Sequence, residues 1–349
     1  MTALDTGNLN DSIRDERIKA IAEFAFTERQ ARFLVHVLVY AGVFLERQYC
    51  AFAGIKHGQK THDFLGKLVG RRYATMITPG ALHRGRLFHV QYKPLYEAIG
   101  EPNNRHRKPA SLGRMVERLM LLDAVLADKN HKWLGTENDK LAYFILDLLR
   151  TDMKKEDYPH LSFGEGDQKT VRYFPDKLPI GVERSGGRRH VFLYLVTRDV
   201  PVDFRMFLLR HAQLFRVVYE WTVRILVPRP FRKAAALYRY AVRDELATPV
   251  PPSTVEELEW FLRERHGQPQ SEYRHPDLDP NFDRSLTAQK FQVARLRSLE
   301  RMWLREGYHA IIGAQSHILR DQLHEGRGRI EFVELSHQYL QLSSLVAIA

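Results

Sequence analysis

Cysteine is almost missing from this chain. A single thiol, Cys50, among 349 residues excludes an intrachain disulfide framework and any Cys-rich zinc site. An unpaired thiol fits a reducing, cytoplasmic compartment. Long hydrophobic runs are missing too. None approaches the ~18 apolar residues of a transmembrane helix, so no membrane partner is expected. Met1 to Asp15 is polar and mildly acidic, without the apolar core of a secretory signal. No Gly-x-x-x-x-Gly-Lys-Ser/Thr run occurs, which argues against a P-loop NTPase. The 16 His show no recurring metal-ligand spacing, so no metal or other cofactor is expected, and His57, His62, His83 and His89 read as surface or phosphate-contacting groups. Acid is in deficit: 42 Asp and Glu face 53 Lys and Arg, a formal net charge of +11.

What is present is a foldable chain. Hydrophobic residues make up 44%, with 19 Phe, 15 Tyr and 4 Trp, which argues against disorder, and the length suggests two or three domains. The excess charge is concentrated. Residues 1–26 carry a net −2. Residues 27–118 hold sixteen cations against six anions, a net +10, and the remaining 231 residues carry only +3. One basic module on a near-neutral body is the footprint of a nucleic-acid-binding segment.

The pattern inside that block supports the same class. Thr27 reads as an N-cap for a helix with Phe33, Leu34, Val37, Leu38 and Ala41 on its apolar face, stopped by Gly42. A second helix is expected from Leu45 to Phe52, ended by Gly54, and a third from Gly58, with Phe64, Leu65, Leu68 and Val69 on one side. Strand-like Tyr73–Ile77 and Arg86–Tyr92 then flank a Gly-containing turn, Pro79–Gly85. Three short helices and a basic hairpin spell a winged helix-turn-helix. Its third helix would enter the major groove and its wing would approach the backbone or minor groove of double-stranded DNA. The expected DNA contacts are Arg47, Lys56, Gln59, Lys60, His62, Lys67, Arg71, Arg72, Arg84 and Arg86.

The fold class expected for the whole chain is α+β and mostly helical. It divides into an N-terminal segment (1–26), the winged helix (27–108), a connector helix with a small α/β domain (109–230) and a mainly helical region (231–349). In the third part, Leu112 to Leu126 reads as the connector helix, and 133–151 as a strand-or-helix pair. Phe174–Val182 and His190–Val196 read as strands about a Ser185-Gly186-Gly187 turn, followed by a helix from Val202 to about Glu220 and a strand over Thr222–Pro228. That order, with Asp176 in the first strand, invites comparison with metal-dependent nucleases of restriction-endonuclease type. Their Mg²⁺ chemistry needs a Glu/Asp-x-Lys on the next strand, where this chain has Tyr194, Leu195 and Val196. The domain therefore reads as a degenerate scaffold, and the chain as non-catalytic. Tyr92, Tyr96 and Tyr194 read as packing residues. In the last part, Phe231 to Glu245 reads as one helix, Ser253 with Glu256 and Glu257 as a helix start, and Gln268 to Pro280 as a loop. Leu286 to Gly307 reads as a basic amphipathic helix, either an outer face, a second DNA contact or a dimerisation element, and Arg329–Leu335 as a strand returning to the sheet.

The stretch Thr27-Glu28-Arg29-Gln30 through Gly42, then Arg47-Gln48-Tyr49, Lys67-Leu68-Val69 and the hairpin to Lys93-Pro94-Leu95-Tyr96 resembles the replication-relaxation family of plasmids and integrative elements. The resemblance spans residues 27–228. It implies an N-terminal winged helix, then an α/β domain with a Pro-Asp before one strand, as at Pro175-Asp176. It also implies DNA binding in the replication, transfer or regulation of a mobile element. The chain departs from the pattern at Tyr194 and Val196, where members carry acids. A homodimer pairing two half-sites is a possible arrangement, though no heptad marks its interface. Two alternatives stay open: an active Mg²⁺-dependent nuclease centred on Asp176, and a protein-interaction adaptor built on a winged helix.

Overall fold

The computed structural model describes residues 6–77, 86–147, 158–164, 170–184, 189–251, 254, 257–262, 289–290, 292–306, 317–337 and 339. The fold is α+β. Among the described residues no helix is long and apolar enough to cross a membrane.

The first half is built on α2 (Glu28–Tyr40). Thr27 caps it reciprocally: its Oγ1 accepts from the Gln30 amide, and the Gln30 side chain accepts from the Thr27 amide. Phe33, Leu34, Val37 and Leu38 are all buried, as their helical spacing requires. Gly42 stops the helix with φ +69°, its amide bonded to the Val37 carbonyl. Then come β1 (Val43–Leu45), α3 (Glu46–Ala53), α4 (Gln59–Gly70), β2 (Ala74–Ile77) and β3 (Leu87–Val90). The three strands form an antiparallel sheet in the order β1-β3-β2. Gly54 ends α3 in the left-handed conformation, and Gly58 precedes α4. An aromatic cluster fills the interior, with Phe33 edge-on to Phe44, Tyr49 against Phe64 at 4.1 Å and Phe44 stacked on Phe88.

Residues 1–26 include a helix, α1 (Thr6–Ala22), which sequence periodicity left undescribed. Its apolar content is sparse, yet Ile18 and Ile21 are buried in the same core as α2. After α5 (Lys93–Ala98), α6 (Leu112–Ala127) also belongs to this core through Met115, Val116, Leu119 and Leu122. It is thus more than a connector.

The second half is a five-stranded mixed sheet. β4 (His131–Leu134), β7 (Ile180–Glu183) and β8 (Arg189–Leu195) are antiparallel neighbours, while β9 (Glu220–Val227) and β10 (Gly328–Glu334) continue in parallel with β8. The C-terminal strand does return to the sheet. α8 (Val202–Val217) covers one face, packing Phe204, Phe207 and Phe215 against Phe192 and Tyr194. The alternating residues Val191 and Leu193 meet Val125 of α6 on the opposite face. β8 is therefore sealed on both sides.

Several expected boundaries move. The 133–151 pair resolves into β4 and α7 (Glu137–Asp147). Phe174–Pro179 is not strand: Phe174 and Lys177 have positive φ, and Pro175 and Pro179 lack the amide that a strand ladder needs. The preceding residues instead form a two-stranded sheet, β5 (His160–Phe163) with β6 (Thr170–Tyr173). α8 ends at Val217, since Glu220 opens β9 opposite Arg189, to which it is ion-paired at 2.7 Å. The expected Phe231–Glu245 helix divides into a 3₁₀ turn (Arg229–Ala234), α9 (Ala235–Val242) and one π turn (Arg243–Ala247). Within the expected basic helix the structure describes α10 (Ala294–Glu306), packing Leu296, Leu299 and Met302 against Met206 and Leu209 of α8. A short α11 (Ile318–His324) precedes β10. The Pro79–Gly85 turn, Ser185-Gly186-Gly187, Ser253 and the Gln268–Pro280 loop lie outside the described residues.

Two predictions follow from local chemistry. A Cβ at Gly42 would lie 2.6 Å from the His106 carbonyl oxygen, in a conformation that already costs an L-residue about 1–2 kcal/mol. Gly42→Ala is expected to lose at least about 2 kcal/mol in urea unfolding, and a loss below about 1 kcal/mol would contradict this packing. His211 is buried beneath β8, and burial, with Arg210 beside it, depresses its pKa to about 4 despite Asp176. Since unfolded His titrates near ~6.5, the unfolded chain gains a proton between those values that the folded chain refuses. The stabilisation from neutral His211 is therefore complete above pH ~6.5 and is lost as pH falls towards 4. The urea midpoint should drop from pH 7.5 to pH 5, and His211→Gln should shrink that drop.

Candidate nucleic-acid interface

The surface of α4 follows from its burial pattern. Thr61, Phe64, Leu65 and Leu68 are turned into the core, which leaves Gln59, Lys60, His62 and Asp63 exposed in the first turns. Gln59 donates to Asp63 at 2.6 Å. Lys56 is exposed in the α3–α4 connection. Arg72 is exposed in the turn to β2, where φ is +58°, and Arg86 is exposed at the start of β3. Among the described residues Lys56, Lys60, Arg72 and Arg86 make no ion pair. Arg84 lies outside the described residues.

Three of the expected contacts have structural duties. Arg47 is held bidentately by Asp123 of α6, at 2.6 and 2.9 Å, with its guanidinium over the Tyr339 ring. Its charge is committed to that pair, although the side chain stays partly exposed. Asp123 sits 76 residues away in sequence, so no local pattern marks the pairing. Lys67 Nζ donates to the Ala25 carbonyl at 2.7 Å, and Arg71 donates to the Phe24 carbonyl at 3.1 Å. Both tie the C-terminal half of α4 to the segment between α1 and α2, although the Arg71 side chain stays exposed. His89 also differs from expectation: it is buried, with Nε2 2.9 Å from the His106 carbonyl oxygen, and burial lowers its pKa. The packing roles of the tyrosines are visible in the contacts. Tyr92 stacks on Tyr73, Tyr96 donates to the Val90 carbonyl, and Tyr194 packs on Phe204.

A second basic feature escaped the sequence pattern. Arg105, Lys108, Arg172 and Lys177 line a cavity of about 480 Å³ together with Glu101 and Lys140. Burial, then repulsion from Arg105 and Arg172, lowers Lys177 to about 8. Burial lowers Lys140 to about 8 as well, and its ammonium donates to the Leu178 carbonyl at 2.8 Å. The contributors come from three separate parts of the chain, so only folding assembles them.

Asp176 lies at the rim of the second core, in the turn before β7 and not on the strand. Its Oδ1 accepts from Arg210 at 2.9 Å. Phe192 to Leu195 of β8 and Val196 just after it are buried and apolar or aromatic, so β8 offers no second carboxylate. No family model, curated protein or solved structure matches this chain.

The division between structural and free cations is testable by stability alone. Arg47→Ala removes the cationic partner of a carboxylate that is only 12% exposed and should cost about 1–3 kcal/mol. Lys60→Ala should stay within about 0.5 kcal/mol of the parent. Equal losses in the two variants would overturn the division.

Proposed function

We propose that the chain is a non-catalytic double-stranded DNA-binding protein whose N-terminal half acts as a winged helix, with α4 in the major groove and the β2–β3 hairpin against the backbone. The observation that carries this reading is the split character of α4. Its apolar side chains are consumed by the core, while Gln59, Lys60 and His62 stand exposed near its N-terminus. The helix order and the antiparallel β1-β3-β2 sheet agree with it. So does the net +10 over residues 27–118.

Lys56, Lys60, Arg72 and Arg86 are the side chains assigned to phosphates, with Arg71 available beside them. Gln59 is assigned to base edges, where its amide both donates and accepts. Lys67 belongs to the support of α4. The sequence resemblance to the replication-relaxation family supports a role in the regulation, replication or transfer of a mobile element, with two copies on paired half-sites as the arrangement that gains specificity.

Fluorescence anisotropy with duplex DNA tests this reading. Affinity should fall steeply as salt rises, because each neutralised phosphate releases counterions. The combined Lys60→Glu, Arg72→Glu, Arg86→Glu variant should lose binding at least about tenfold, with a shallower salt slope of about 0.9 per lost contact, and should melt like the parent. Unchanged binding in that variant refutes the reading. Mg²⁺-dependent cleavage of plasmid DNA that Asp176→Ala removes would refute its non-catalytic part.

A further inference from the structure

We propose that Glu46, His57 and His62 form a binding site for a divalent transition-metal ion of the zinc type, joining the start of α3 to the start of α4. The three side chains come from three places: the first residue of α3, the α3–α4 connection, and the first turns of α4. One ligand atom from each lies within 4.8 Å of the others. Zinc bonds of about 2.0–2.2 Å to nitrogen and oxygen set tetrahedral ligand atoms roughly 3.4 Å apart, so small side-chain rotations bring all three onto one ion.

Two further observations point to an ion and not to a simple polar cluster. Glu46 Oε1 is buried and accepts no hydrogen bond, although His57 Nε2 lies only 2.5 Å from it. The two groups are within ion-pair distance, but the contact gives the buried oxygen no directed hydrogen bond. A bound ion would take both atoms as ligands and move them apart to the wider spacing of a coordination shell. The His57 and His62 rings are also 4.8 Å apart and nearly perpendicular, at 87°, so two imidazoles crowd the same small volume as the carboxylate.

The donor set selects the ion. Two imidazoles and one carboxylate suit zinc and its neighbours, whereas magnesium and calcium prefer oxygen alone. Three protein ligands leave one position for water. Lys56 and Lys60, next to the site in sequence, oppose a cation, and the single carboxylate offsets them only in part. Affinity should therefore be in the micromolar range, below that of a closed structural site. The spacing His57-x₄-His62 with Glu46 eleven residues upstream matches no common zinc signature, which is why sequence alone passed over it. On this assignment His62 holds metal and is not a base-reading residue.

The test reads metal and not DNA, so it stands apart from the DNA-binding proposal. The full chain, freed of metal by a chelator and exchanged into clean buffer, is titrated with Zn²⁺ against a chromophoric chelator, and with Co²⁺ while visible absorption is followed. One equivalent should bind, Co²⁺ should give the intense visible bands of a four-coordinate site, and Zn²⁺ should raise the melting temperature. His57→Ala and Glu46→Gln should each weaken binding at least tenfold and remove the Co²⁺ bands, while His324→Ala, at an exposed position of α11, should leave them intact. Circular dichroism of the metal-free variants checks that the fold persists. Failure to bind Zn²⁺ more tightly than about 100 µM, or equal binding in both ligand variants and the parent, would overturn the site.

Discussion

The carboxylate of Asp123 is the junction on which the orientation of the basic module rests. It accepts both guanidinium nitrogens of Arg47 and the amide nitrogen of Gln48 from α3, as well as the hydroxyl of Tyr339 from the far end of the chain. Gln48 is itself buried, bonded onward to the Leu119 carbonyl and back to the Leu45 amide. α3 is thereby fixed against α6 by charge-assisted bonds that fix direction as well as distance. α6 in turn lends Val125 to β8. A change at Asp123 would therefore reach α4 through α3, and the second sheet through α6, without touching either directly.

Charge in the basic block is used in two ways. Part of it is structural: Arg47 on Asp123, Arg32 on Glu28, Arg114 on Glu117, and Lys67 and Arg71 on backbone carbonyls. Of the rest, Lys56, Lys60, Arg72 and Arg86 lie on the α4 side, while Arg105 and Lys108 line the cavity. A net charge read from composition weights all of these equally. Folding does not, since a guanidinium clamped by a carboxylate has little left to give a phosphate, while an unpaired surface ammonium retains its full field.

Much of the first half, and one strand of the second, was legible because the signals are local. Thr27 with Gln30, the apolar face of α2, Gly42 and Gly54 as stops and the alternation of Arg329–Leu335 each act within a few residues, and each element formed where the pattern put it. What escaped notice depends on distant partners. α1 lacks a strong apolar face and is held by Ile18, Ile21 and the Arg17–Asp139 pair, whose members are 122 residues apart. The Phe174–Pro179 segment resembled a strand by apolar content, but its two prolines and two positive φ angles turn it instead. The role of Arg47, and the meeting of Glu46 with His57 and His62, required the three-dimensional path of the chain.

The parallel pairing of β10 with β9 bears on how the chain is made. The first core is complete once the ribosome has released the segment through Leu122, apart from the later contributions of Leu195, Leu226 and Tyr339. The second sheet is different, because β9 ends at Val227 and its outer neighbour begins only at Gly328. For the time needed to synthesise that interval, one full edge of β9 has no strand to bond. An uncovered edge is a template for pairing with other chains. The vulnerable period in the life of this protein is therefore the synthesis of the interval between Val227 and Gly328, when a basic, already folded first half is tethered to a sheet whose β9 edge is still open.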